Sequence, residues 1–358
     1  MIIKDIKKIL ALLAAALILL SACGAESEGT DEAGEASEAT IDFFAMDTYM
    51  SMKACGPEAS AALSTAEDII SDMDGRLSVT NEKSEIYAIN HACGGETKVS
   101  AETMSLLKEA LSLSEETGDA LEISIYPVSL AWGFTTGEYR VPEEEELGEL
   151  LTHVDDSRIL LDEESLTVTI PEGAQIDLGA FAKGMAGDRA AEQLKEDGIT
   201  SALLNLGSST IRTIGAKPDG SPWRVAIADP EKSSDYAGII ELYEGAVNTS
   251  GGYERYFTDE AGKVYWHILD PINGYPADSG IISATILTPD SMTGDGLSTA
   301  CFVMGLEKTE EYWREKGGFE FILITEDHDI YVSEGAADAF TPAGDYEKST
   351  VTVVPYEE

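Results

Sequence analysis

Ile176-Asp177-Leu178-Gly179-Ala180-Phe181-Ala182-Lys183-Gly184-Met185-Ala186-Gly187-Asp188 opens a helix in a way that helix stability alone does not explain. The strand-like run 166–170 and the turn Pro171-Glu172-Gly173 lead into it, and Asp177 is placed to cap its free amides. Phe181, Met185 and Leu194 fall on one face, and Gly198 is placed to end the helix before the apolar run 202–206. Gly184 and Gly187 sit inside it at a cost of roughly 1 kcal/mol each against alanine, so something has to approach the backbone closely there. Lys183 stands in the first turns, where the helix dipole disfavours a cation unless an anion is near, and a phosphate is the natural anion. The same residues also fit a buried helix packed against a sheet, with the glycines for contact and Lys183 reaching to water. Nucleotide patterns do not choose between the two. Gly179-x-x-x-x-Gly184 is followed by Met185, not by Lys-Ser/Thr, and no Gly-x-Gly-x-x-Gly follows a strand.

At the start of the chain Lys4, Lys7 and Lys8 precede the apolar run 9–20, which is too short to span and stay, and Ser21-Ala22-Cys23 follows. Residues 1–22 read as an export signal. The cysteine after Ser21-Ala22 resembles a bacterial lipobox, which implies lipidation of Cys23, with palmitate-type acyl chains, in an exported lipoprotein tethered to the cell membrane and facing outside the cytoplasm. Two or more acyl chains anchor stably where one does not. Residues 24–40 are almost all Ala, Glu, Gly, Ser, Asp and Thr, and read with Cys23 as an acidic disordered tether over 23–40. The folded portion is expected over 41–358.

The chain carries 23 basic against 67 acidic residues, a net charge of −44, which argues against nucleic acid or anionic headgroups bound through a basic face. A chain this acidic that binds a phosphate ester needs a local cation, so a bound metal is expected. Cys55, Cys93 and Cys301 form no Cys-x-x-Cys pair and support no thiolate zinc site, while a Cys55–Cys93 disulfide after export stays open.

Further along, a strand is expected from Thr48, a helix over 58–73 with Leu63, Ala66, Ile69, Ile70 and Met73 on one face, and another over 101–117. The aromatics of 121–134 read as packing, with stacking on a planar ring as the alternative. Residues 246–252 read as a hydroxyl-rich turn, and a strand through Trp266 ends in a Pro/Gly turn beyond His267, one of four histidines. By itself His267 carries little weight. Asp295 and Thr299 lie one turn apart on a helix continuing to Met304. They can offer a carboxylate and a hydroxyl to a hard cation, or serve as a helix cap and a packed threonine.

Taken together, Met46-Asp47-Thr48-Tyr49, Ser84-x-x-Tyr87, Asp177-Leu178-Gly179-Ala180-x-Ala182-Lys183-Gly184, Thr249-Ser250-Gly251, His267-Ile268-Leu269-Asp270-Pro271-x-x-Gly274-Tyr275-Pro276 and Asp295-x-x-Ser298-Thr299-Ala300 occur in order. This set resembles the ApbE family of FAD:protein FMN transferases from about Phe44 to Tyr331. The resemblance implies an α+β fold, a two-lobed single domain with mixed sheets flanked by helices. It implies a Mg²⁺-dependent enzyme that takes FAD as substrate, attaches FMN to a Ser or Thr hydroxyl of a partner protein and releases AMP. The acceptor would be an exported flavoprotein or a subunit of a membrane redox complex.

Carried over by motif, Met46, Tyr87, Ala120, Leu121, Glu122, Asp177, Lys183 and Ile268 would contact FAD. The Ala180 carbonyl, Asp295 and Thr299 would hold the metal, with His267, Asp295 and Lys183 at the reacting phosphate. Three departures stand out. Asn205-Leu206-Gly207-Ser208-Ser209-Thr210 replaces the family's Asn-x-Gly-Gly-Asp, Glu122 replaces an Asp, and Gly294-Asp295-Gly296 replaces Ala-Asp-Ala, which is expected to loosen the helix start. A lipid-anchored FAD-binding protein without transfer, and an FAD pyrophosphatase giving FMN and AMP, are the competing readings.

Overall fold

The computed structural model describes residues 37–118, 120–232 and 235–357. The signal segment, Cys23 and most of the tether lie outside them. The folded portion begins earlier than the expected residue 41, because Glu38–Ala45 is already a strand that pairs antiparallel with Thr48–Cys55. Its polar residues gave no sign of this, since an edge strand needs only alternate positions half buried. Met46 and Asp47 join the two strands, both with positive φ (49° and 58°), as a two-residue hairpin turn requires. Met50, Met52 and Ala54 point inward from the second strand.

That hairpin begins a nine-stranded sheet in the order Glu38–Ala45, Thr48–Cys55, Ser201–Leu206, Thr210–Ile214, Gly245–Gly251, Ile281–Thr288, Glu320–Thr325, Ile330–Ser333 and Val351–Val354. Only the last pair runs parallel, so the sheet is mixed and the class α+β. Residues 246–252 are therefore not a turn. They belong almost wholly to a central strand whose Ala246, Val247 and Asn248 are buried, and its hydroxyls mislead because they face neighbouring side chains instead of water.

Helices Ala59–Leu77 and Ala182–Glu196 share the main apolar core with the sheet, through Leu63, Ala66, Ile70, Met185, Ala190 and Leu194. The helix expected from Asp177 begins at Ala182, with Phe181 before it and no side-chain cap. Asp177 instead closes a tight turn onto the Gly179 amide at 2.6 Å. At the other end Gly198 (φ +82°) stops the helix as expected. Its amide bonds Lys195 O and that of Ile199 bonds Leu194 O, the paired arrangement that satisfies terminal carbonyls.

The helix of Asp295 runs Ser291–Lys316, interrupted at Gly305 (φ +77°), so the expected end at Met304 is where the helix breaks. Asp290 caps its start by accepting the Thr293 amide at 2.9 Å. Cys55, Cys93 and Cys301 are all free thiols.

Candidate active site

The reason for the glycines is close contact, of Gly184 with the neighbouring helix and of Gly187 with the sheet. A Cβ on Gly184 would lie 2.2 Å from the Ser291 carbonyl oxygen, and one on Gly187 would lie 2.9 Å from Leu206 Cδ1. With that space open, the starts of the two helices meet, and each is capped by the other. Asp188 accepts the Ser291 and Met292 amides, both at 2.9 Å, and pairs with Arg212 Nε at 3.1 Å. Asp295 accepts the Gly184 amide at 2.6 Å, so its charge lies on the positive end of the Lys183 helix. Gly294 and Gly296 do not loosen this start. A Cβ on the first would meet Asn248 and Thr288, and one on the second Phe181 and Leu113, so larger neighbours already fill the room.

Asp295 is thus not a cap for its own helix. It is 7% exposed, and its other oxygen accepts Thr210 Oγ1 at 2.7 Å and Asn248 Nδ2 at 2.5 Å. Burial holds its carboxyl above the ordinary range, while Lys183, Thr210, Asn248 and the Gly184 amide pull it down. Lys183 forms no ion pair within 4.0 Å among the described residues. Its charge acts on Asp295, Glu254 and His267 together.

His267 Nδ1 lies 3.2 Å from the Arg255 carbonyl oxygen, and its own amide donates to the same oxygen at 3.0 Å. A carbonyl only accepts, so Nδ1 carries the proton and Nε2 keeps its lone pair. Loss of surrounding water pushes this imidazole down to about 4, and the charges of Arg255 and Lys183 push the same way against the carbonyl bond. The ring is neutral at pH 7. Glu254 presents exposed surface, yet the protein around its carboxyl removes enough water to raise it, with Lys183 opposing and Asp295 adding to the rise. Arg255 also reaches Asp47 at 3.9 Å, which brings the hairpin turn of Met46 to the site.

The other expected contacts gather through the backbone. The Asp177 amide bonds Ile123 O at 2.8 Å, which sets the segment holding Ala120, Leu121 and Glu122 beside Asp177. Asn90 clamps both Ile176 backbone groups, at 2.7 and 2.8 Å, and so ties down the short helix of Tyr87, whose ring stacks on His91 at 3.8 Å. Ile268 is buried, and its carbonyl accepts Ala277 N at 2.9 Å. Glu122 turns inward: its carboxylate accepts Ser124 N, Ser124 Oγ and Asp156 N. The altered 205–210 loop keeps a left-handed turn at Gly207 and Ser208 (φ +84° and +69°), with the Ser208 amide on Asn205 Oδ1 at 2.8 Å. Serine there costs about 1–2 kcal/mol where glycine would be free.

Thr299 Oγ1 lies 3.2 Å from Ser250 Oγ, and Ser298 Oγ lies 2.8 Å from the same atom. Asp295 Oδ2 takes one donor only and keeps a lone pair, and the nearby oxygens are hydroxyls. That donor set fits a hard divalent cation and not a soft one. Ala180 is half buried in the turn before the Lys183 helix.

Sequence reading missed Arg255, Glu254, Asp188 and Asn90. None lies on a periodic pattern, and each matters through a partner far along the chain. The scarcity of cations was the one available signal for Arg255.

Lys183, Arg255, a neutral histidine, Glu254 and a buried carboxylate at a helix start come together in an α+β protein. Residues 46–323 match the ApbE family. An FAD:protein FMN transferase of Vibrio cholerae is 31% identical over 336 residues, covering 92% of this chain and 96% of that protein. One from Haemophilus influenzae is 32% identical over 283 residues, covering 76% and 80%. The crystal structure of the ApbE protein of Thermotoga maritima superposes with a TM-score of 0.78 at 33% identity, covering 84% of this chain and 98% of that one. The chain belongs to the ApbE family.

Proposed function

We infer that this chain carries the activity its relatives are named for and is an FAD:protein FMN transferase. The observation that carries the reading is Lys183, a cation with no ion pair among the described residues, whose charge acts on the buried Asp295 and the neutral His267. The finer proposal is a Mg²⁺-dependent transfer to a Ser or Thr hydroxyl, with AMP released, by an exported protein anchored through Cys23. Among the described residues no helix is long and apolar enough to cross a membrane.

Lys183 and Arg255 bind the pyrophosphate and offset its charge, which positions the FMN phosphorus for the acceptor. Asp295, Thr299 and the Ala180 carbonyl would hold Mg²⁺, which supplies charge stabilisation to the leaving phosphate when bound. His267 Nε2 takes the proton of the acceptor hydroxyl. The hydroxyl oxygen bonds to phosphorus, the pyrophosphate P–O bond breaks, and AMP leaves with the electron pair. Bound pyrophosphate also offsets the two cations that depress His267 and so makes it a better base.

The test is mass spectrometry of exported candidate acceptors incubated with FAD and Mg²⁺. A covalent FMN adduct on Ser or Thr is expected. Free FMN and AMP without an adduct would mean hydrolysis, and intact FAD would mean a carrier.

A further inference from the structure

Glu122 and Asp156 are buried carboxyls, 8% and 4% exposed, each bonded to an amide of the other's segment. The Asp156 amide donates to Glu122 Oε2 at 3.2 Å, and the Ile123 amide donates to Asp156 Oδ2 at 3.3 Å. Alongside, the Asp155 amide donates to Ser124 Oγ at 2.8 Å. No Lys, Arg or His lies within 4.0 Å of either carboxyl among the described residues. Two buried carboxylates without a cation cannot both remain ionised at low cost.

We propose that Asp156 is a positioning residue for flavin binding: its carboxyl, closed against Glu122, fixes the 120–125 backbone and, through the Ile123 carbonyl, Asp177. The proposal rests on the reading that 120–122 and Asp177 contact FAD. The length of the Glu122 side chain lets its carboxylate reach inward to the Asp156 amide.

Burial and the charge of Glu122 raise the Asp156 carboxyl to about 7. The groups facing the pair are few. Helix Ala101–Glu116 presents the buried Ser114 hydroxyl, which has no well-formed hydrogen bond and can turn to serve either protonation state, while its Glu115 and Glu116 are exposed. The 153–158 segment adds His153, which is half buried, and Asp155 and Arg158, which are exposed, and the 174–178 segment adds Asp177 across the Ile123 carbonyl. Above neutral pH Asp156 ionises beside the Glu122 carboxylate, like charges face each other, and the segment loosens. The folded pKa lies above the unfolded value of about 3.8, so stability falls as pH rises between the two and levels off above.

The experiment follows Tm and FAD affinity of the full chain from acid to alkaline pH, for the parent, Asp156→Asn and Asp156→Ala, with infrared detection of protonated carboxyl. The parent should lose about tenfold in FAD affinity over one to two pH units around neutrality. Asp156→Asn, whose amide donates permanently to Glu122, should flatten that step, reduce the fall in Tm and weaken the protonated-carboxyl band near neutral pH. Asp156→Ala should bind FAD weakly at every pH. A parent-like Tm profile and band in Asp156→Asn would overturn the titration of Asp156. A flattened Tm profile with FAD affinity unmoved in all three proteins would keep that titration but overturn the positioning role. Absence of FAD binding by the parent would count against the proposed function instead.

Discussion

Asp188 and Asp295 each cap the helix that carries the other: Asp188 accepts the Ser291 and Met292 amides, and Asp295 accepts the Gly184 amide. The exchange fixes the Gly184 backbone next to Lys183 on Asp295 and makes the geometry of the site a consequence of how two helix starts meet.

Asp295→Asn should reduce FMN transfer more than FAD binding, with partial recovery in excess Mg²⁺. Because the carboxylate takes three donors, an amide nitrogen would face one of them, so about 1–3 kcal/mol of stability should go as well. Thr299→Val, which removes a neutral oxygen, should be milder in both. A magnesium titration of transfer, with denaturant melts beside it, separates the two effects. Parent-like magnesium dependence in an active Asp295→Asn protein would take this residue out of the metal site.

Lys183→Met should weaken FAD binding about tenfold to a hundredfold, the worth of a lost charge-assisted contact. The residual affinity should vary less with salt. Isothermal titration at two ionic strengths is the check, and unchanged affinity and salt dependence would return Lys183 to a packing role.

The acid limb of kcat/KM should lie well below the ordinary histidine range, because His267 is held at about 4 and stays neutral until protonated there. Stability linked to this group is present above about 6.5 and is lost as pH falls toward its folded value. Arg255→Met removes one of the depressing charges, so the limb should move to higher pH. A limb that stays in place would show that His267 does not set it.

Gly184→Ala should lower Tm and FAD affinity together, since its Cβ would meet the Ser291 carbonyl and separate the helices. The overpacking cost, about 1–3 kcal/mol, exceeds the roughly 1 kcal/mol gained in helix propensity. Raised stability in this variant would show that the helix starts can part freely.

Cys23→Ala should release the protein from membranes or leave it unprocessed, as cell fractionation would reveal. Retention of a correctly cleaved chain on the membrane would rule out lipidation at that residue.

What depends on local chemistry was readable from the residues alone. The strand-then-helix order around Asp177, the stop at Gly198, the anomaly of a lysine in a first helical turn and the family motifs were all legible, because a few neighbouring residues decide each of them. Only the tertiary structure decided what the glycines serve, which carboxylate caps which helix and what faces His267. Asp188 and Ser291 lie 103 residues apart, and Asn248 and Asp295 lie 47 apart, so no local pattern carries their pairing. The same holds for residues 246–252. Their hydroxyls read as a turn until the strands on either side supply the hydrogen bonds that make them the middle of a sheet.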